Sequence, residues 1–382
     1  MSKNINEIIG NSFLEIAQSI ENKDFGPKIK IALTTLGSEH DSQVLLKGAK
    51  LAQEEMNSLE VVIIGHKFEG FECYETDCEE EMHNIMEKLL DEGKIQGCVT
   101  RHYNFPVGVS TVGKVQTPAF GKETFIATTT GTAAVDRTEA MFKNTLYGII
   151  TAKTMGIENP SVGILNLDSA RTVERALKQL KENGYNINFA SSRRSDGGVI
   201  MRGNDLLMAS ADVMVTDTLT GNILMKILSS FSTGGSYEAV GSGYGPGIGF
   251  GYDKNILILS RASGTPVVKN AILYGGKLAQ NNLSEKIKEE YAKLKKFGLE
   301  DILKSFQQSQ KKETKEVKMP EKEIVTQSIP GIDVLDLEVA CKRLWEEDIY
   351  AETGMGCTGP IINVSKDNLE KSKNILKEES FI

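Results

Sequence analysis

No stretch of this 382-residue chain approaches the roughly 18 consecutive apolar residues that a membrane-spanning helix requires. The leading segment carries Ile5, Ile8, Ile9, Phe13, Ile16 and Ile20 at helical spacing among Glu7, Glu15 and Glu21. It lacks both the continuous apolar core of a signal peptide and the arginines of a transit peptide. Cysteine is scarce: five residues, at 73, 78, 98, 341 and 357, an odd and scattered set that does not form a disulfide framework. A reducing, cytoplasmic setting without a membrane partner is therefore expected. Basic patches are also missing. With a net charge of −8 and no cationic cluster beyond Arg193-Arg194 and the mixed run from Lys311 to Lys322, the chain is not expected to bind nucleic acid. Small anions stay open, held by local amides and a few cations.

Two nucleotide signatures are absent as well. The glycine run Gly241-Ser242-Gly243-Tyr-Gly245-Pro-Gly247-Ile-Gly249-Phe-Gly251 alternates strictly, so neither Gly-x-Gly-x-x-Gly nor a Walker loop with its Lys and Ser/Thr can be laid on it. A dehydrogenase is correspondingly disfavoured. Amides freed by glycine can form a nest for phosphate or a phosphoester; a mobile flap or a crowded strand crossing would use the same residues. His66, Cys73, Cys78 and His83 match no zinc spacing, so no metal is expected.

What is present reads as an α/β protein. After the N-terminal helix (1–27), Lys28 to Thr35 reads as a strand, Gln43 to Glu55 as a helix and Val61 to Ile64 as a second strand, the βαβ unit of a parallel sheet. Further strands are expected at Gly97 to Thr100, Thr124 to Thr129, Val162 to Leu167, Ile187 to Ala190, Val213 to Thr216 and Ile256 to Ser260, giving a three-layer body over 28–306. Ligands of such bodies gather at the carboxyl ends of the strands. Residues 307–330, rich in Lys and Glu, read as a linker, and as a coil would span on the order of 26 Å. A small module follows at 331–382, with an amphipathic helix from Asp333 to Glu347, a strand at Ile361 to Val364 and a helix from Lys366 to Lys377.

Three places carry candidate chemistry. In the module, Gly354-Met-Gly-Cys357-Thr-Gly-Pro360 surrounds a thiol with glycines whose amides can face a developing negative charge, as acyl transfer to sulfur requires; a tight connection around a packed Cys is the plainer alternative. The stretch Asp212 to Lys226 reads as strand, loop and helix, with Asp217 at the strand end, Asn222 at the helix start and Lys226 one turn later on the same face. A helix start with a nearby lysine can hold an anion, although Asn222 would also serve as a cap and Lys226 as a solvated side chain. His40, between Glu39 and Asp41, could act as an acid–base group or simply lie at the surface.

These residues resemble those of the acyl-carrier-protein phosphate acyltransferases of phospholipid synthesis. The resemblance rests on Ile31 to Ala49, Val162-Gly-Ile-Leu-Asn166, Ala211 to Asp217 running into Gly221-Asn222-Ile-Leu-Met-Lys226, Gly251-Tyr-Asp253 and Gly264 to Lys269. It implies an isocitrate-dehydrogenase-like α/β fold with a mostly parallel sheet. The loop Leu36-Gly-Ser-Glu-His40-Asp41 and the linker with its Cys357 module depart from the lipid enzymes; they resemble the alpha subunits of component C of clostridial glycine/sarcosine/betaine reductase complexes. That resemblance implies acetyl transfer from an enzyme-bound thioester, derived from a carboxymethylated selenoprotein, to phosphate. Cys357 would carry the acyl group, and Asp217, Asn222, Lys226, Gly241, Ser242, Gly243, Gly245, Gly247 and His40 would hold phosphate and acyl. It further implies an oligomeric assembly with a beta subunit and the small selenoprotein component, and no cofactor beyond the substrate phosphate. A lipid acyltransferase with no need for Cys357, and a non-catalytic platform for the other subunits, are the competing readings.

Overall fold

The computed structural model describes residues 9–10, 13–14, 16–17, 20, 28–39, 42–194, 197–309, 317–333, 336–356, 359–379 and 381–382. His40, Cys357 and linker residues 310–316 lie outside them.

Strand residues with alternating neighbours decide the architecture. Ile31 and Leu33 belong to one apolar cluster and Ala32 to another; Val61 and Ile63 part from Val62 and Ile64 in the same way, and so do Phe125 and Ala127 from Ile126. Successive side chains of a strand point to opposite faces, so these strands are buried on both sides, as a sheet covered by helices on two faces must be. The sheet has twelve strands, in the order β3(Glu72–Glu75), β2(Leu59–Gly65), β1(Ile29–Thr34), β4(Gly97–Thr100), β12(Ile256–Ile258), β11(Gly245–Ile248), β5(Val109–Gln116), β6(Glu123–Thr132), β10(Val213–Val215), β7(Ser161–Leu165) and β8(Asn188–Phe189), with β9(Ile200–Met201) also pairing β7. Of eleven α-helices among the described residues, nine accompany it. The architecture is that of the phosphate acyltransferase fold expected above.

The two halves of the sheet run in opposite directions. Strands β3 to β12 are mutually parallel, and so are β6 to β8, but β11 pairs antiparallel with both β12 and β5, and β5 pairs antiparallel with β6. The carboxyl ends of the first group (Thr34, Thr100, Ile258) and of the second (Thr132, Val215, Leu165) therefore lie at opposite edges. One face carries α1(Ser42–Glu55), α3(Arg137–Thr154), α4(Ala170–Glu182), α7(Thr265–Gln280), α8(Leu283–Lys296) and α9(Leu299–Ser309), whose apolar residues join the main cluster. The other face carries α2(Glu79–Asp91), α5(Gly203–Leu207) and α6(Thr218–Ser230), with the half-buried rings of Tyr103 and Phe105 between α2 and α6.

A second sheet, β13(Gln327–Pro330), β15(Gly359–Val364) and β14(Ala351–Gly356), packs with α10(Leu337–Glu346) and α11(Leu369–Glu378) around its own core of Ile329, Leu344, Ile362, Val364 and Leu376. The segment read as linker is shorter at both ends than its composition suggested. Helix α9 reaches Ser309, and Gln327 to Pro330 pairs with β15 because Ile329 is buried in that core. The small sheet is anchored at the start of α4. Asp333, itself buried, accepts from the amides of Ser169 (3.2 Å) and Thr172 (3.4 Å), satisfying donors that a helix start leaves open. Beside it, Asp336 pairs with Arg175 at 3.0 Å; burial raises its carboxyl pKa against the pull of the guanidinium.

Buried Glu290 ties α3 to α8, accepting from Lys153 (2.7 Å), Lys293 (2.7 Å) and Tyr185 (2.6 Å). Burial alone would raise its pKa, but the three donors outweigh it and bring the carboxyl from 4.5 down to about 2. A depressed carboxylate contributes stability above its unfolded pKa and loses it as pH falls through the folded value. Urea unfolding across this acid range should show stability falling between pH 4.5 and about 2. In Glu290→Gln that part of the fall should be missing, with a loss at neutral pH on the order of 3 kcal/mol because Lys153 is left without its partner.

Candidate anion site at the strand ends

Helix α6 is set against β6 by the Thr-Gly-Asn stretch. Asp217 caps it, accepting from the Thr220 amide (2.9 Å) and hydroxyl (2.7 Å); Thr218 donates to the Gly131 carbonyl (3.0 Å), and Asn222 Nδ2 to the Thr129 carbonyl (3.1 Å). A side chain at Gly221 would fall on the carbonyl oxygen of Thr128, so only glycine allows this approach. The macrodipole at this helix start thus meets the chain's own carboxylate. Asn222 is engaged with β6. Lys226, one turn further, is exposed, and its Nζ stands 5.5 Å from the ring centroid of Tyr244 in the glycine run.

The run is partly a strand. Gly245 and Gly247 lie in β11, in the middle of the sheet, where a side chain would meet the Val112 carbonyl at one and the Phe105 ring at the other. Gly241, Gly243 and Gly245 have φ of 92°, 73° and 86°, which favours glycine. The amides of Ser242 and Tyr244 are used by the carbonyls of Lys114 (2.8 Å) and Ile258 (2.9 Å), and the Gly241 carbonyl accepts from Asn270 (3.1 Å). Tyr244 is buried, and its hydroxyl donates to Glu238 (2.9 Å), which also accepts from Ser263 (2.8 Å); burial and that carboxylate raise the phenol pKa.

From Tyr244 the contacts lead along the carboxyl ends of β12, β4 and β1. Glu238 N donates to Ala262 O (2.9 Å), Glu39 N to Arg261 O (3.2 Å), and Leu259 N to Thr100 O (2.8 Å). Arg101, directly after β4, donates through Nη1 to the carbonyls of Thr34 (2.8 Å) and Leu36 (3.0 Å), and burial lowers its pKa to about 10. Its Nη2 is buried without a hydrogen-bond partner. Arg261 is exposed, and none of Lys226, Arg101 and Arg261 forms an ion pair among the described residues. Three unneutralised cations thus border the same edge, a setting that favours a small dianion.

The sequence profile of the fatty acid synthesis protein family matches residues 29–363. The chain belongs to this family. It is 59% identical over 381 residues, 99% of each chain, to a protein of Peptoclostridium acidaminophilum described as glycine/sarcosine/betaine reductase complex component C subunit alpha. Phosphate acyltransferases of Thermotoga petrophila (28% identical, 53% of this chain and 68% of theirs) and Bacillus cereus (23%, 52% and 71%) are similar over about half of the chain.

Lys226 and the glycine run come together at Tyr244; Asp217 caps the helix start, and Asn222, one turn before Lys226, donates to the carbonyl of Thr129, whose hydroxyl donates to the Tyr244 carbonyl (2.7 Å). Arg101 and Arg261 were missed, although Arg101 follows a strand whose bounds the sequence had supplied and strand ends are where ligands gather. Arg193 lies elsewhere, on a loop held by buried Asp205 through the Arg193 amide (2.9 Å) and Ser192 (2.9 Å). Among the described residues no group of three potential metal ligands stands together. Of the thiols, Cys98 is fully buried and Cys341 is buried with its Sγ near the Ala351 carbonyl (3.2 Å); burial pushes both pKa values up, to about 11 for Cys341. Neither suits acyl carriage, which needs an accessible thiolate. Strands β14 and β15 pair as far as Gly356 and Gly359, flanking Cys357 in the chain.

Gly221→Ala is expected to lower the melting temperature strongly, by the several degrees that about 2–3 kcal/mol represents, because helix α6 has to move off β6. Differential scanning calorimetry against Gly234→Ala, at an open position with φ of 63°, separates the close approach from simple backbone strain.

Proposed function

We propose that this chain transfers an acetyl group from an enzyme-bound thioester to phosphate, forming acetyl phosphate within a glycine/sarcosine/betaine reductase complex. The observation that carries this reading is 59% identity across 99% of both chains to a component C alpha subunit, with phosphate acyltransferases similar over about half of the chain. The cation-lined strand ends fit the acceptor. Arg101, Lys226 and Arg261 would hold phosphate; one of its oxygens attacks the thioester carbonyl, and the same cations offset charge on the tetrahedral intermediate. The C–S bond then breaks with its electron pair on sulfur, and acetyl phosphate leaves with a thiolate behind it. No redox change occurs in this step, so it needs no cofactor on this chain.

Cys357 is the proposed acyl carrier, charged from the carboxymethylated selenoprotein with the beta subunit as the other partner. Its module is anchored at Ser169 and Thr172, after β7, at the edge opposite Arg101. The sheet separates those edges by about 20 Å, the length of a six-residue strand. Delivery therefore requires the module to leave that anchor, or the acyl group to pass through a beta-subunit thiol. A lipid-type acyltransferase is the less economical reading, because the phosphate acyltransferase similarity covers only 53% of the chain and gives the Cys357 module no task.

Isotope exchange between acetyl phosphate and labelled phosphate tests the reading in the complex. Arg261→Met and Lys226→Met should each raise the KM for phosphate at least tenfold while the far-UV spectrum is kept, and Cys357→Ser should abolish exchange, since serine forms no comparable anion. Normal exchange in Cys357→Ser would remove that thiol from the pathway. Normal phosphate dependence in both cation variants would move the anion site elsewhere.

A further inference from the structure

A cleft of about 380 Å³ lies at the amino ends of β4 and β12, at the edge opposite Arg101, between α2, α7 and α8. Leu90, Ile95, Ala279, Leu283 and Ile287 give it apolar walls. Asn255, directly before β12, forms part of the wall and is 7% exposed. Its Nδ2 donates to the carbonyls of Gln96 (3.2 Å) and Gly275 (3.0 Å), which fixes the amide plane and identifies the other arm as the oxygen. That Oδ1 is buried and has no hydrogen-bond partner among the described residues. Buried polar side-chain atoms are nearly always paired, so this acceptor calls for a donor.

The charges around the cleft say what kind of donor. Asp253, two residues before Asn255, lines it and forms no ion pair among the described residues, whereas Asp91 is matched by Lys254 at 3.0 Å. A free carboxylate beside a free acceptor favours a cationic donor, such as an ammonium. Helix α8 makes the opposite demand. Asn282 precedes it with φ of 52° and no side-chain cap bond, and the amides of Leu283 and Ser284, both in the cleft wall, donate to nothing among the described residues. The first-turn carboxylate Glu285 is drawn to Lys288 (2.8 Å). Open amides and the macrodipole at the start of this 14-residue helix favour an anion.

One small molecule meets both demands when it carries both charges. We propose that this cleft binds a free α-amino acid with an aliphatic side chain. The ammonium donates to Asn255 Oδ1 and Asp253, the carboxylate accepts from the amides at the start of α8, and the side chain lies against Leu90, Ile95 and Ile287. An amine leaves the helix start unanswered, and a carboxylic acid brings Asp253 a like charge with no donor for Asn255. A zwitterion adds no net charge to the cleft, so its two ends are paid for locally by groups already of the right sign. The volume is at the small end of the range for organic ligands, which suits a single amino acid. The site lies apart from Arg101, Lys226 and Arg261 and stands whatever reaction those strand ends perform.

Isothermal titration calorimetry on the purified full chain tests it with free leucine, with isoamylamine, which lacks the carboxylate, with isocaproate, which lacks the ammonium, and with glycine, which lacks the side chain. Leucine should bind with a sub-millimolar Kd, and each of the other three at least tenfold more weakly. Ser284→Asp sets a carboxylate at the start of α8, a change that favours the helix, so leucine should bind at least tenfold more weakly while Tm holds or rises. Asp253→Asn, on an exposed side chain, should weaken leucine and isoamylamine alike and leave isocaproate unchanged. If Ser284→Asp lowers Tm, Asp253→Asn carries the test alone. The proposal is overturned if leucine gives no saturable heat at millimolar concentration, which would leave water as the partner of Asn255. It is equally overturned if the amine, the acid or glycine binds as tightly as leucine, or if a folded Ser284→Asp or Asp253→Asn chain binds leucine as the wild type does.

Discussion

The close contact between Gly221 and the Thr128 carbonyl fixes the exposed-helix side of this molecule. A helix whose axis comes this near a strand cannot rotate or slide without losing the Asn222 bond to Thr129 and the Thr218 bond to Gly131. Its orientation in turn determines which way Lys226 extends and which apolar side chains are left facing outward. A backbone constraint of this kind costs no side-chain entropy, because glycine has none to lose; it does cost backbone entropy in the unfolded chain. The capping by Asp217 offsets part of that by satisfying a helix-start donor.

The second constraint is the change of strand direction at β11 and β5. Because two sets of parallel strands point opposite ways, the molecule has two edges of carboxyl ends rather than one. The first edge has cations, Arg101, Lys226 and Arg261, that form no ion pair among the described residues. The second holds the start of α4, whose open amides are taken by Asp333 of the small sheet. Burial lowers the Arg101 pKa because nothing anionic within the described chain repays the desolvation of its guanidinium. The anchor at the second edge shows the opposite arrangement, with a carboxylate, a helix start and Arg175 already matched.

The sequence made the buried strands legible because they are short, β-branched and apolar. Gly97 to Thr100 was located at its observed bounds, and the strand expected at Thr124 to Thr129 is the middle of β6. Strand β5 escaped because Ser110 and Thr111 interrupt its apolar pattern; they are buried nonetheless, bonded to Asn144 (2.8 Å) and Thr129 (2.6 Å). Strand β11 escaped for the reverse reason, since a Gly-Pro-Gly segment reads as a loop until the Phe105 ring that needs the missing side chain is seen. At the site, residue types were legible and pairings were not. Nothing local says that Lys226 will stand over Tyr244, or that Arg101 will form no ion pair among the described residues, because both depend on which strands become neighbours.

The Asp333 anchor gives the small sheet a spectroscopically visible state. While it is docked, the amide protons of Ser169 and Thr172 are held by a buried carboxylate. Were it to undock, those same two protons would be free to trade with deuterium from the solvent. The exchange rate at the start of α4 would therefore report whether the module leaves this anchor at all, at a place far along the chain from its own thiol.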